Sequence, residues 1–120
     1  MDRSPFLGAI FEGFIAAEII KNQINSGQRR ELYYFRDQQG LEVDFVVPSG
    51  HRKLTLVEVK ASRTVTPEAA ESVVRLAAAI SSYRVRASVV HRPSKNATYT
   101  SGLRAGVKAV AWTELAASLA

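Results

Sequence analysis

The tripeptide Glu58-Val59-Lys60 follows directly on the apolar run Leu54-Thr55-Leu56-Val57, so a carboxylate and an ammonium stand two residues apart at its end. Side chains alternate across a strand, which sends Glu58 and Lys60 to one face and Val57, Val59 and Ala61 to the other. Earlier in the chain, Asp44 lies in Leu41-Glu42-Val43-Asp44-Phe45-Val46-Val47. The same alternation predicts Leu41, Val43, Phe45 and Val47 on one side and Glu42 and Asp44 on the other. If the two strands are neighbours, Asp44, Glu58 and Lys60 converge on one spot, the chemistry of a divalent metal site with an attendant base.

Two carboxylates about 5 Å apart repel by roughly 3 kcal/mol at an effective dielectric of about 20, a strain relieved by a proton or a cation. Magnesium takes oxygen ligands and keeps several waters, so two or three carboxylates plus a substrate phosphate form a natural set. Beside such an ion Lys60 can position or deprotonate a water, or stabilise a pentacovalent phosphate. Taken one at a time the residues are ordinary: Glu58 and Lys60 make an ion pair on an exposed strand, and Asp44 an exposed acid on the face of Glu42. Their joint spacing is what points to a site.

The elements that must position these residues are marked by punctuation. Ser4-Pro5 reads as an N-cap followed by proline at the first helical position, and Leu7, Ile10, Phe11, Phe14, Ala17 and Ile24 carry an apolar pattern to about Asn25. Asn25-Ser26-Gly27 stops that helix. Glu31 to Arg36 is aromatic-rich, Asp37-Gln38-Gln39-Gly40 forms a turn, and Leu41 to Val47 completes a hairpin. Pro48-Ser49-Gly50 breaks the chain before a third strand, Leu54 to Ala61. Thr66-Pro67-Glu68 caps a second helix reaching about Ser82. Arg84 to His91 is a fourth strand, Arg92 to Gly106 a loop, Val107 to Trp112 a fifth strand, and Thr113 caps a short closing helix over Glu114 to Leu119. A helix between the third and fourth strands implies a right-handed crossover between parallel neighbours. The expected architecture is α/β, a mixed central sheet flanked by helices.

With 120 residues and 47% hydrophobic content, the chain is expected to form a single domain over residues 1–120 with an ordinary core. It has no cysteine, which excludes disulfides, thiolate zinc sites and thiol nucleophiles. The absence of a long uncharged apolar run and of a signal peptide pattern predicts a cytoplasmic protein away from the membrane. The net charge is +5, and between Ser72 and Thr113 there is no Asp or Glu, while Arg75, Arg84, Arg86, Arg92, Lys95, Arg104 and Lys108 all fall there. A basic half suits a phosphate backbone, although a solubilising surface has the same composition.

Glu12 on the first helix, Asp44 on the second strand and Glu58-Val59-Lys60 on the third resemble the PD-(D/E)XK phosphodiesterase superfamily, with its αβββαβ restriction-endonuclease-like core. Gly8-x-x-Phe11-Glu12, Tyr34-Phe35-Arg36-Asp37-x-x-Gly40-x-Glu42-Val43-Asp44-Phe45 and Glu58-Val59-Lys60-Ala61-Ser62 are similar to a bacterial and archaeal domain of unknown function (DUF4143), over roughly Phe6 to Ser82. The resemblance implies magnesium or manganese on Glu12, Asp44 and Glu58, with Lys60 as the catalytic lysine assisting the attacking water. It implies DNA as substrate, hydrolysed at its phosphodiester bonds in the manner of an endonuclease.

In most members that domain follows an AAA-type ATPase, so an ATPase or a second copy of the chain is an expected partner. This sequence has no G-x-x-x-x-G-K-[ST] and is no P-loop ATPase itself. Val43 stands where the superfamily's name has proline. The alternative is a catalytically inactive module of the same fold that binds nucleic acid or an ATPase, or an interaction domain whose acids make structural ion pairs.

On the first helix Glu18 competes with Glu12: it falls among Leu7, Phe11 and Phe14, where a carboxylate needs a partner such as Lys21. Gly8, beside Glu12, would let the helix approach the sheet closely. Arg36 is expected to pair with Asp37 or Glu42, and His51 and His91 to lie on the surface. Trp112 reads as a core or edge aromatic, and Tyr83 and Tyr99 as residues near the basic region able to stack bases or to pack.

Overall fold

The computed structural model describes residues 5–62, 65–92, 102–104 and 106–119. Helix α1 spans Pro5–Asn25, and strands β1 (Tyr33–Arg36), β2 (Glu42–Gly50) and β3 (Lys53–Lys60) follow. A 3-10 turn, Pro67–Ala70, leads into α2 (Glu71–Ala79) and then β4 (Arg84–His91). Strands β5 (Gly102–Arg104) and β6 (Val107–Ala111), a 3-10 turn (Trp112–Glu114) and α3 (Leu115–Ser118) complete the order. The strands form one mixed sheet ordered β1-β2-β3-β4-β6-β5. β1, β2 and β3 are an antiparallel meander, β3, β4 and β6 run parallel, and β5 closes the edge antiparallel to β6.

Both faces of the sheet are covered. Phe11, Ile15 and Ile19, one turn apart on α1, bury themselves against Phe45, Val47, Val57, Val90 and Val110, with Leu115 of α3 beside them. On the other face Ala70, Val73 and Leu76 cover Val43, Leu56, Ala87, Val89 and Val107. The central strands are therefore apolar on both sides, as buried parallel strands must be, and Leu56, Val57, Val89 and Val90 are fully buried.

Helix α1 has the expected limits, and its end is built as a Schellman motif. Gly27 takes φ 72°, the Gln28 N–H donates to Gln23 O at 2.8 Å, and the Gly27 N–H donates to Ile24 O at 3.1 Å. The Gln23 side chain, 2% exposed, then donates to Glu31 O at 2.8 Å and accepts from the Glu31 N–H at 3.2 Å, clamping the connection to β1. Among the described residues no helix is long and apolar enough to cross a membrane.

Several expectations fail for physical reasons. Pro48-Ser49-Gly50 does not break the chain, and β2 runs through it. β1 stops opposite Val46, leaving β2 an open flank from Val47 on, where proline is tolerated. Thr66 makes no side-chain cap, α2 ends at Ala79, and Thr113 lies inside a 3-10 turn. The stretch from Arg92 to Gly106 contains β5, so the sheet has six strands where five were expected. A Cβ on Gly8 would meet nothing within 4 Å, so that glycine mediates no close approach. Ser4 and Tyr99 lie outside the described residues.

Candidate functional site

Register decides where the acids point. Tyr33 pairs with Val46 but Phe35 pairs with Val43, so Asp44 and Phe45 together oppose the single residue Tyr34. An extra residue in one strand is a β-bulge, which re-aims side chains and bends the strand. Its effect shows in the core: Phe45 and Val47 pack under α1, whereas Val43 packs under α2. The predicted common face for Leu41, Val43, Phe45 and Val47 is thus wrong, because alternation is reset at Asp44.

The bulge also ends the pairing of β2 with β3. Their last pair is Phe45 with Val57, beyond which β2 continues with β1 as far as Glu42, and β3 continues with β4 as far as Lys60. In the fork so formed two carboxylates replace the missing ladder bonds. The Val59 N–H donates to Asp44 Oδ2 at 2.8 Å, and the Asp44 N–H donates to Glu58 Oε1 at 3.4 Å. Lys60 Nζ stands 3.4 Å from Glu58 Oε2. Asp44, Glu58 and Lys60 are therefore brought together, as their spacing suggested.

Electrostatics mark the fork as short of positive charge. Burial raises the Asp44 carboxyl above its ordinary range, opposed by the Val59 N–H and the Lys60 charge. Glu58 is pushed up to about 7, first by burial and then by the charge of Asp44, with Lys60 pulling the other way. At neutral pH Glu58 is therefore about half protonated where an isolated carboxyl would be ionised.

Glu12 joins this group only through Asp44. It is exposed, and partial burial and then the Asp44 charge raise its pKa. It lines a hollow of about 340 Å³ with Tyr34, Arg36, Glu42 and Asp44, whereas Glu58 and Lys60 line a second of about 320 Å³ that also contains Asp44. Asp44 borders both hollows. Asp44 Oδ2 is turned onto β3, and Glu12 shares only the first hollow with it. Among the described residues no three Asp, Glu or His side chains converge closely enough to hold a metal ion by themselves. Glu18 instead pairs with Lys21 at 2.9 Å, and Arg36 pairs with Glu42 at 2.6 Å.

Sequence reasoning missed what α2 and the 3-10 turn before it contribute. Glu68, Glu71, Ser72 and Arg75 line the hollow of Glu58 and Lys60, and Ser72 Oγ is buried there with no hydrogen-bond partner. The signal was available: a strand, a crossover helix and a parallel strand place the first turns of the helix over the C-terminal end of the first strand. His91 was also misplaced. It is 3% exposed, in register with Lys60, and its Nδ1 lies 2.8 Å from Arg92 O. Trp112 is half-buried and meets Phe14 edge-on, ring centroids 4.9 Å apart, while Tyr83 is exposed.

At the opposite ends of β3 and β4 two further hollows, about 230 and 280 Å³, meet at Arg86. Lys53, Arg84, Arg86 and Lys108 line them with Ser49, Thr55 and Ser88, and no Asp or Glu is among the described lining residues. Lys53 pairs in register with Arg84, and Thr55 with Arg86.

Fold and site together define an α/β protein whose mixed sheet forks around a half-buried acid pair and a lysine. The chain belongs to the family described as Domain of unknown function (DUF4143), whose profile matches residues 7–115. No curated protein matches it, and no solved structure does.

Proposed function

We propose that this domain is a PD-(D/E)XK nuclease-like, magnesium- or manganese-dependent phosphodiesterase acting on DNA, with a restriction-endonuclease-like core. The observation that carries the reading is the fork: Asp44 and Glu58, half-buried and short of positive charge, beside the Lys60 ammonium. The helix–strand–strand–strand–helix–strand order of residues 5–91 supports it as well.

The donor set fits such an ion. Magnesium is usually held by one or two carboxylates, with waters and substrate phosphate filling the remaining positions, so the pair Asp44 and Glu58 is sufficient and Glu12 adds charge from the α1 side. When bound, the ion would neutralise charge on the phosphoryl group and acidify a water. The protein's own residues do the rest. Asp44 and Glu58 are fixed in place by the two backbone N–H groups they accept from, so little motion is needed to present their oxygens. Lys60, once Glu58 is engaged elsewhere, is released to orient the water or to meet a phosphate oxygen. Arg75 offers a guanidinium to the substrate from α2.

The test is nicking of supercoiled plasmid with Mg²⁺ or Mn²⁺. Wild type is expected to nick, and Asp44→Asn and Lys60→Met to lose at least about 100-fold in rate while remaining folded. A wild type that leaves plasmid intact under both ions contradicts the reading.

A specific observation favours the second reading, a silent binding module. Lys53 and Arg84 stand five residues, about 17 Å along the strands, from the level of Glu58, and Arg86 three residues, about 10 Å, so this basic surface offers phosphate contacts apart from the acids. Salt-dependent DNA binding that persists in Asp44→Asn, without cleavage by wild type, would establish it.

A further inference from the structure

Helix α1 is apolar where a surface helix should be polar. Ile15 is fully buried against the sheet, so the solvent-facing direction is the one opposite it. At about 100° per residue the side chains within about 40° of that direction are those of Phe6, Ile10, Gly13, Ala17, Ile20 and Ile24. None is polar. Phe6 is 79% exposed, Ile10 67% and Ile24 55%, while Ile20 is half-buried at the edge of the stripe.

Two features of this stripe say what covers it. Its spacing alternates four and three residues, the 3.5-residue seam by which one helix packs along another, and packing on a sheet does not require it. Its order is also palindromic: large, large, small, small, large, large. A two-fold axis opposite Ile15 sets Phe6 against Ile24, Ile10 against Ile20 and Gly13 against Ala17 of a second, antiparallel α1. A self-complementary patch is what an isologous dimer needs.

Gly13 supplies independent support. Among the described residues a Cβ there would meet nothing within 4 Å, so none of them demands a glycine. A mid-helix glycine costs about 1 kcal/mol relative to alanine, which a close helix crossing at Gly13 and Ala17 would offset. The exposed parts of Phe6, Ile10 and Ile24 come to roughly 370 Å² per chain. With Ala9, Gly13, Ala17 and Lys21 added, a paired face covers roughly 1,200 Å² in total, the low end of the range for specific interfaces.

We infer that the domain forms a two-fold homodimer through antiparallel pairing of the outer faces of its two α1 helices.

Sedimentation equilibrium at about 100 μM chain should give the dimer mass. Ile10→Glu, which places a charge in each half of the seam, should raise the dissociation constant about 100-fold or more, and Gly13→Leu should block the crossing. Both positions are exposed, so far-ultraviolet circular dichroism of the monomeric variants is expected to match wild type. Because the chain has no cysteine, orientation can be read directly. Under mild oxidation a mixture of Ile10→Cys and Ile20→Cys chains should cross-link, and neither alone should. A wild type that stays monomeric overturns the inference and leaves the stripe to another protein or domain. Self-cross-linking of the Ile10→Cys chain, or a dimer indifferent to both Ile10→Glu and Gly13→Leu, overturns it equally.

Discussion

Replacing Glu58 by glutamine isolates the electrostatic condition on which the fork depends. The variant keeps the side chain's shape and an oxygen to accept the Asp44 N–H, but it cannot ionise. In the wild type the carboxyl rises from 4.5 to about 7 on folding. A raised carboxyl adds stability that is fully present below the unfolded value and is lost as pH climbs through the folded one, because the native state binds the proton more tightly. At about 1.4 kcal/mol per tenfold change in affinity the span is worth roughly 3 kcal/mol, and solvent on the open side of the cleft reduces it to about 2 kcal/mol. Wild-type stability relative to Glu58→Gln should therefore fall by about 2 kcal/mol between pH 4.5 and pH 8, most of it before pH 7. Urea unfolding of both proteins across that interval measures it. Any constant offset, such as the glutamine amide facing Lys60, cancels. Parallel stability curves would refute the reasoning, since they would mean that Glu58 ionises as freely in the fold as outside it.

Ser72→Ala removes a buried hydroxyl that makes no hydrogen bond, so stability should hold or rise by up to about 1 kcal/mol in urea unfolding. Gln23→Ala strands the Glu31 N–H and C=O that the amide serves, and should cost about 2 to 3 kcal/mol by the same measurement.

Local signals in the chain describe the scaffold well and the site only in part. Pro5, the apolar spacing and Gly27 bound α1 because capping and the left-handed glycine act within a few residues. The crossover from β3 through α2 to β4 follows from a helix lying between two apolar strands. Asp44, Glu58 and Lys60 are adjacent, as their spacing implied, but for a different reason: the bulge at Asp44 and Phe45 separates β2 from β3 and turns two carboxylates onto backbone N–H groups. A bulge leaves the alternating pattern of Val43, Phe45 and Val47 intact on paper, since it is fixed by pairing with Tyr34, which is distant in sequence. His91, at the end of a strand with polar residues to follow, reads as surface, and only its register with Lys60 and Ala111 buries it.

The central claim, that the fork between β2 and β3 is a place for a divalent cation, is tested most directly by calorimetric titration with Mn²⁺ near pH 7 in two buffers of different ionisation enthalpy. One ion is predicted to bind per chain with release of roughly half a proton, chiefly from Glu58, and both binding and release should vanish in Asp44→Ala. Absence of binding below millimolar Mn²⁺, or binding that Asp44→Ala leaves unchanged, would contradict the account.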